Sequence, residues 1–296
     1  MRLLFYISLF VLGFRPQVGH SQTTNYPLKA YEFYQKKDFV TAKIWIDSAL
    51  QFNQIKTDKV WFIRGLIYRE LESTTENNTR LVALVSLSKA KNLSTDAALL
   101  KQINIVTQNT VMKTYNESID LLKMGELNKS EARYLKYKEQ YLMYNNPTYN
   151  FDQLDIMYFN SLGSAWQANN ELASFTEQEK QLNIAVEKFQ KTLHIDPENY
   201  DANYNIGVAY YNLGTDIIIH LDPLSPLDRI EELQITALRL YKNGLPFLMK
   251  AYELDPENPQ VIEGLRNIHH AMQDEEKEKF FKLLYEQVTG KKLEND

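Results

Sequence analysis

Two stretches of the chain end in the same four residues and carry the same side-chain rhythm before them. Ala185, Phe189, Thr192 and Pro197 fall at intervals of four, three and five, and Gly244, Leu248, Ala251 and Pro256 fall at the same intervals. Each stretch closes Asp-Pro-Glu-Asn, at Asp196–Asn199 and at Asp255–Asn258. Side chains at i, i+4 and i+7 share one helical face, so a small, a large and a small residue line up toward a common neighbour. The proline then stops the helix, because its ring cannot continue the hydrogen-bond ladder. A new helix is expected after each stop. The better one runs from Tyr200 to Leu213 and carries Gly207 in its middle. A mid-helix glycine costs about 1 kcal/mol relative to alanine, so its presence predicts a partner helix pressed close against it.

The phase extends toward the N-terminus. Phe159, Leu162, Gly163 and Trp166 precede Ala185–Pro197 as a first helix precedes a second, and Ile206, Gly207 and Tyr210 precede Gly244–Pro256 in the same way. Trp61, Gly65 and Tyr68, followed by Ala83, Leu87 and Ala90, make an earlier copy. Asp38, Phe39, Ala42, Ile46 and Ala49 match a second helix alone. These residues resemble the tetratricopeptide repeat (TPR), a 34-residue helix–turn–helix unit. Asn203 departs from the pattern, standing where the family has its first aromatic residue. The resemblance covers nearly all of the chain beyond residue 22. It implies an all-α fold, an α-α superhelix or TPR solenoid of about six helix pairs, at roughly 23–54, 58–95, 104–145, 152–197, 200–256 and 259–289. The third pair matches least, with Gly125, Ser130, Tyr134 and Tyr137 as its anchors. The sixth has Arg266 in the glycine position, as suits a polar terminal cap.

The spacing also reports insertions. A first-helix glycine and the small residue of the second helix stand twelve apart in an uninterrupted pair. Gly65 to Ala83 is six residues longer, Gly163 to Ala185 ten and Gly207 to Gly244 twenty-five. The largest insertion, 215–242, carries Ile217-Ile218-Ile219 and then Leu221-Asp222-Pro223-Leu224-Ser225-Pro226-Leu227. Its prolines mark a turn, and the flanking segments can continue their helices. An extended helical hairpin in the fifth pair is therefore predicted, kinked near Pro246.

The chain opens with Met1-Arg2, an apolar run from Leu3 to Phe14, then Arg15-Pro16 and the small residues Gly19 and Ser21. That order is the order of a secretory signal peptide. An apolar run of about twelve residues is short of the roughly twenty that cross a bilayer. Residues 1–21 are expected to be removed near Ser21/Gln22, which leaves an exported chain in the periplasm or at the cell surface. No later segment reads as a membrane span. The net charge is -5 over 296 residues, and an acidic balance disfavours nucleic acid, whose phosphates call for a basic face. The chain has no cysteine, so disulfides, thiol catalysis and Cys-ligated zinc are excluded.

Catalysis finds little support. His269 and His270 are neighbours on a helix and point about 100° apart, whereas zinc ligands on a helix favour spacings of three or four. The Asp-Pro-Glu-Asn runs lack the alternating carboxylates and the glycine of a calcium loop. No phosphate loop or nucleophile elbow is present. No metal, no cofactor and no catalytic residues are assigned, and a non-catalytic scaffold that binds another envelope protein is expected. The resemblance implies a groove lined by the second, fifth, ninth and twelfth positions of each first helix. In the fifth pair these are Asp201, Tyr204, Val208 and Tyr211; in the fourth, Met157, Asn160, Ser164 and Gln167; in the second, Lys59, Phe62, Leu66 and Arg69. Tyr204 and Tyr211 are the leading contact candidates, because tyrosine combines large area with a polar tip. The same two rings could instead pack against neighbouring helices. Ile217, Ile218, Ile219 and Leu221 form a second candidate surface for a partner or another copy of the chain, unless the hairpin buries them itself. An extracellular glycan- or peptidoglycan-binding module is the alternative, and an enzyme on a helical scaffold the more distant one. The expectation about the leader has a direct check: N-terminal sequencing of the protein recovered from its own cell should begin at or within a few residues of Gln22.

Overall fold

The computed structural model describes residues 24–73, 78–168 and 174–292; the leader expected over 1–21 lies outside them. Among the described residues the chain is all-α. It divides between Val106 and Thr107 into two compact units. The first holds α1 (Tyr26–Gln35), α2 (Phe39–Gln51), α3 (Asp58–Glu70), a short 3-10 turn (Leu71–Ser73) and α4 (Thr79–Leu93). Helix α5 (Ala97–Lys123) spans the division. The second unit continues with α6 (Leu127–Tyr144), α7 (Asp152–Ala168), α8 (Phe175–Ile195), α9 (Tyr200–Ile219), α10 (Leu227–Leu254), α11 (Pro259–Ala271) and α12 (Glu275–Thr289). Among the described residues the helices pair in chain order within each unit, α1 with α2 and α3 with α4 in the first, and α7 with α8, α9 with α10 and α11 with α12 in the second, as in a TPR-like helical solenoid. Within each unit, first helices also meet the first helix of the next pair: α1 meets α3, α7 meets α9, and α9 meets α11.

The turns follow from their residues. Asp196 closes α8, and its carboxylate accepts a hydrogen bond from the Glu198 N–H at 3.2 Å. Asn199 then caps α9, its side chain accepting from the Ala202 N–H at 3.1 Å. Asp255 closes α10 and Asn258 caps α11 in the same manner, accepting from the Gln260 N–H at 3.1 Å. In both turns the asparagine amide also reaches back to the aspartate, at 3.3 and 3.4 Å. Asp-Pro-Glu-Asn is thus one stop-and-restart device used twice. Its cap satisfies N–H groups that the first helical turn leaves without partners.

Small residues set how closely each pair packs. A Cβ added at Gly65 would lie 2.8 Å from Leu87, and one at Gly163 would lie 2.7 Å from Phe189. At Gly207 it would run into the side chain of Leu248 and stand 3.0 Å from that residue's backbone nitrogen. The first-helix glycine therefore meets the large second-helix residue in three different pairs, which makes Gly163 and Gly207 structural equivalents. The flanking small residues are sealed too. Ala42, Ile46, Ala49, Ala83, Leu87, Ala90, Ala185, Phe189, Thr192, Leu248 and Ala251 are all fully buried.

The third pair explains its weak match. Ser130, Tyr134 and Tyr137 keep the intervals of the second-helix pattern and are buried, but this core is polar. The Ser130 hydroxyl donates to the Ser118 carbonyl at 2.7 Å and also pairs with the Tyr158 hydroxyl. The Tyr134 hydroxyl donates to the Asp155 carboxylate at 2.6 Å, and Lys138 caps the same carboxylate. The rings of Tyr134 and Tyr158 stack with centroids 3.8 Å apart. Burial holds the Tyr134 hydroxyl protonated far into the alkaline range, so it remains a donor. A satisfied polar core of this kind specifies its partners by hydrogen bonds instead of by shape alone. The neighbouring α6–α8 contact is ionic: the nearly buried Lys188 and its neighbour Lys191 both pair with Glu131, at 2.9 and 2.7 Å.

The fifth pair is elongated, with α9 of 20 residues and α10 of 28. Gly214 repeats the close approach higher up the hairpin, against Tyr241, and Leu213, Ile217, Ala237 and Leu240 are buried between the arms. Helix α10 begins at Leu227 and continues through Pro246 as one element. The terminal pair is less polar outside than expected. Phe280 and Leu283 on α12 are more than half exposed.

The glycine contacts give opposite expectations at two sites. Gly207→Ala should destabilise by about 1–3 kcal/mol through overpacking on Leu248. Gly264→Ala, whose Cβ would meet only a Leu248 methyl at an ordinary 3.6 Å, should stabilise by about 1 kcal/mol. Urea unfolding followed by far-UV circular dichroism measures both.

Candidate functional site

Helices α7, α9 and α11 are the first helices of three consecutive pairs in the second unit, and they lie side by side there. Their lateral contacts are made by amides. Asn160 on α7 donates from Nδ2 to the Asn199 carbonyl oxygen Oδ1 at 3.0 Å, so the residue that caps α9 is itself held by α7. Gln167, two turns on, donates from Nε2 to the main-chain carbonyl of Asn205 at 2.8 Å. Asn267 on α11 donates to the Tyr211 hydroxyl at 3.0 Å. Each bond ties one first helix to the next.

This arrangement separates the expected groove residues into two classes. Asn160, Gln167 and Tyr211 are half-buried staples between helices. Tyr204 is also half-buried; its ring stacks on Tyr200 with centroids 5.8 Å apart and an interplanar angle of 8°. Tyr211 rests against Tyr241 at 5.9 Å. Tyr211 thus packs against the neighbouring α10, whereas Tyr204 stacks within its own helix on Tyr200, and both rings rest partly buried on the core of the second unit. Asp201, Met157 and Ser164 are exposed, and Val208 is partly so.

The open row lies one residue further along at two of the four positions. On α9 it reads Asp201, Asn205, Val208, Asn212, of which Asp201 and Asn212 are exposed and Asn205 and Val208 half-buried, and on α7 it reads Met157, Ser161, Ser164, Ala168, all exposed. Intervals of four, three and four keep each row on a single helical face. Asn205 and Asn212 were missed from sequence because each follows a tyrosine that drew the assignment. Among the described residues no other group engages either side-chain amide. On α11, Gln260 and His270 are exposed and Glu263, Arg266 and Asn267 partly so.

In the first unit the candidates fare differently. Phe62 is 7% exposed and Leu66 3%, packed with Leu87, Ala90, Leu99 and Ile103. Phe62 is therefore core, not groove. The fifth position borders the next first helix, and α5 covers a large apolar side chain placed there. Arg69 is half-buried and bonds to Glu70 through Nε and Nη2, at 3.1 and 2.5 Å. On the hairpin, Ile217 is buried between its arms, which corrects its place on the insertion surface. Ile218 and Ile219 are exposed and Leu221 partly so.

Between the charged Asp201 on α9 and Glu263 and Arg266 on α11, the α7 and α9 rows offer mainly neutral hydrogen-bonding groups. Amide side chains carry both donors and an acceptor, so they can match the N–H and C=O groups of an extended peptide. Asn160 Oδ1 is buried without a hydrogen-bond partner among the described residues and lies beneath the open row, not in it. The Tyr200 hydroxyl is pushed up to about 12, first by burial and then by the carboxylates of Asp255 and Asp201. Among the described residues no group of three or more His, Asp or Glu side chains is placed to hold a metal ion. No helix there is long and apolar enough to cross a membrane.

A family model of the TPR repeat matches residues 178–214, which is most of α8, the Asp-Pro turn and the greater part of α9. No curated protein matches. Among solved structures, a monomeric mutant of IFIT1 with Gppp-AAAA is similar over 86% of this chain and 57% of that one, with 13% identity and a TM-score of 0.35. The chain thus spans somewhat over half the length of that protein.

One titratable group at the edge of this face ties its integrity to pH. His269 of α11 is 1% exposed and stacks on Phe281 of α12 at 5.6 Å. Its Nδ1 lies 3.2 Å from the Asp274 carboxylate, yet neither ring nitrogen completes a hydrogen bond. Burial is the main cause that lowers its pKa below the usual 6.5; Lys277 adds to this, and Asp274 opposes it. Tyr252 of α10 meets the far side of Phe281. As pH falls through 6.5 the unfolded chain takes up a proton that the folded chain resists, so stability declines with acidification. The opening free energy of α11 and α12, read from hydrogen-exchange protection factors corrected for the intrinsic pH dependence of exchange, should therefore fall between pH 7 and pH 5, by at most about 1.4 kcal/mol per pH unit for one proton. His269→Phe should remove that slope.

Proposed function

We propose that this chain is an exported, non-catalytic scaffold of the cell envelope that binds an extended segment of a partner protein along the open row of α7 and α9. The observation that carries the reading is the pair of unengaged amides, Asn205 and Asn212, in line with Asp201 and Val208 on a face whose neighbours are locked by side-chain bonds. A rigid row of amides pays little ordering entropy on binding, so its hydrogen bonds count toward affinity. TPR repeats generally mediate protein–protein interaction, and the family match, over most of α8 and the greater part of α9, includes the α9 half of this row from Asp201 to Asn212. Export is supported by the charge, apolar run and small residues of the leader. The half-buried packing of Tyr204 and Tyr211 favours a peptide over a glycan, which calls for an open aromatic platform.

The test is photo-crosslinking in the native cell from three positions, one at a time: Ser164, Asn212 and, on the outer side of α8, Lys180. Ser164 and Asn212 should capture the same protein, and Lys180 should not. Capture from Lys180 alone, or no common product from the first two, would overturn the reading. Asn205→Ala with Asn212→Ala should weaken the captured complex roughly tenfold or more, at about 1 kcal/mol for each lost hydrogen bond.

A further inference from the structure

The end of the fifth-pair hairpin is open on all sides. From Ile218 to Thr236 no residue is buried. Ile219, Leu224 and Leu227 are 70%, 92% and 79% exposed. The turn is nevertheless well formed: the Asp222 carboxylate accepts from the Leu224 N–H at 2.9 Å, which fixes Leu224 outward. Around these apolar side chains stand Asp216, Asp222, Asp228, Glu231 and Glu232, against Arg229 as the single full positive charge between 216 and 232. Five acids less one base give a formal charge of -4. Arg229 is bonded to Glu232, and His220 to Asp216. The tip is thus an apolar knob in an acidic collar. That collar disfavours anionic lipid headgroups and a second identical tip, since like charges would meet in both cases.

The complementary surface is present on the chain itself. On α2, Val40 and Ile44 stand one turn apart and are each 60% exposed. Lys36 and Lys37 form the turn just ahead of them, and among the described residues neither makes an ion pair, Lys36 lying over the Phe33 ring. Asp38 caps α2 between that turn and Val40, so from Lys36 to Ile44 three lysines less one acid give a formal charge of +2. Lys43 lies between the two apolar positions in sequence and pairs with Asp47.

We propose that the acidic hairpin tip of one copy docks on the lysine-flanked Val40–Ile44 stripe of a second copy. Two unlike surfaces meet, so the contact is heterologous, and each copy keeps one free tip and one free stripe for further association. Only about five side chains take part on each side, well under the area of a stable interface, so association is weak and appears on the order of 100 µM. It is separate from the first-helix face, and crosslinking from Asn212 and self-association succeed or fail independently.

Sedimentation of the purified protein tests this. The wild-type average mass should rise with concentration. Leu224→Glu with Leu227→Glu, and separately Val40→Glu with Ile44→Glu, should each sediment as monomer with unchanged far-UV circular dichroism, because all four positions are exposed. Mixed in equal amounts, the two variants should associate again and stop at dimers, since each contributes its one intact surface. The proposal is overturned by a wild type that stays monomeric. It is equally overturned by loss of association in the tip variant but not the stripe variant, or by a mixture that stays monomeric. Tip-dependent cosedimentation with phosphatidylglycerol or phosphatidylcholine vesicles, in place of self-association, would assign the tip to a membrane.

Discussion

Three of the helix pairs, α3–α4, α7–α8 and α9–α10, depend on a small residue meeting a large one across the helix–helix contact. Gly65 faces Leu87, Gly163 faces Phe189, and Gly207 faces Leu248. The glycine is unfavourable within its own helix and is retained because a Cβ there would overlap the partner. With the axes held that close, the flanking alanines are sealed as well, and the apolar faces of both helices are buried. The third pair shows what happens without such a glycine. Its helices meet through tyrosine hydroxyls, a serine and a carboxylate, and directional bonds take over the role that shape plays elsewhere.

The same pattern of bonding shapes the candidate site. The amides of Asn160, Gln167 and Asn267 are spent holding first helices side by side, and what remains open is the row beside them. A surface built in this way does not need to rearrange when a partner arrives. Apart from Asp201, the row of α7 and α9 carries no charge and its amides both donate and accept, which suits a main chain. The apolar, acidic hairpin tip has a different character, and the two surfaces share no residue.

Much of this architecture could be read before any coordinates. The intervals Ala185–Phe189–Thr192–Pro197 and their repeat at Gly244–Pro256 imply paired helices with a common closing turn, and the excess spacing between Gly207 and Gly244 implies the hairpin. The site was less legible. Phe62 and Ile217 were assigned to surfaces and lie in cores, while Asn205 and Asn212 were passed over for the tyrosines that precede them. Residues four and five along a helix differ by 100° in direction. Repeat phase alone does not say on which side of that angle a neighbouring helix stands.

By itself the sequence determined that the chain forms helices in pairs, where those pairs turn and which side chains meet within each pair. These are local matters, settled by backbone stops, caps and residue size over spans of about thirty residues. Only the tertiary structure decided which first-helix positions are covered by the next pair, which amides are consumed as staples and which apolar side chains of the hairpin stay uncovered. Those outcomes depend on how far one pair is rotated against its neighbour, a quantity set by many contacts at once and written at no single position.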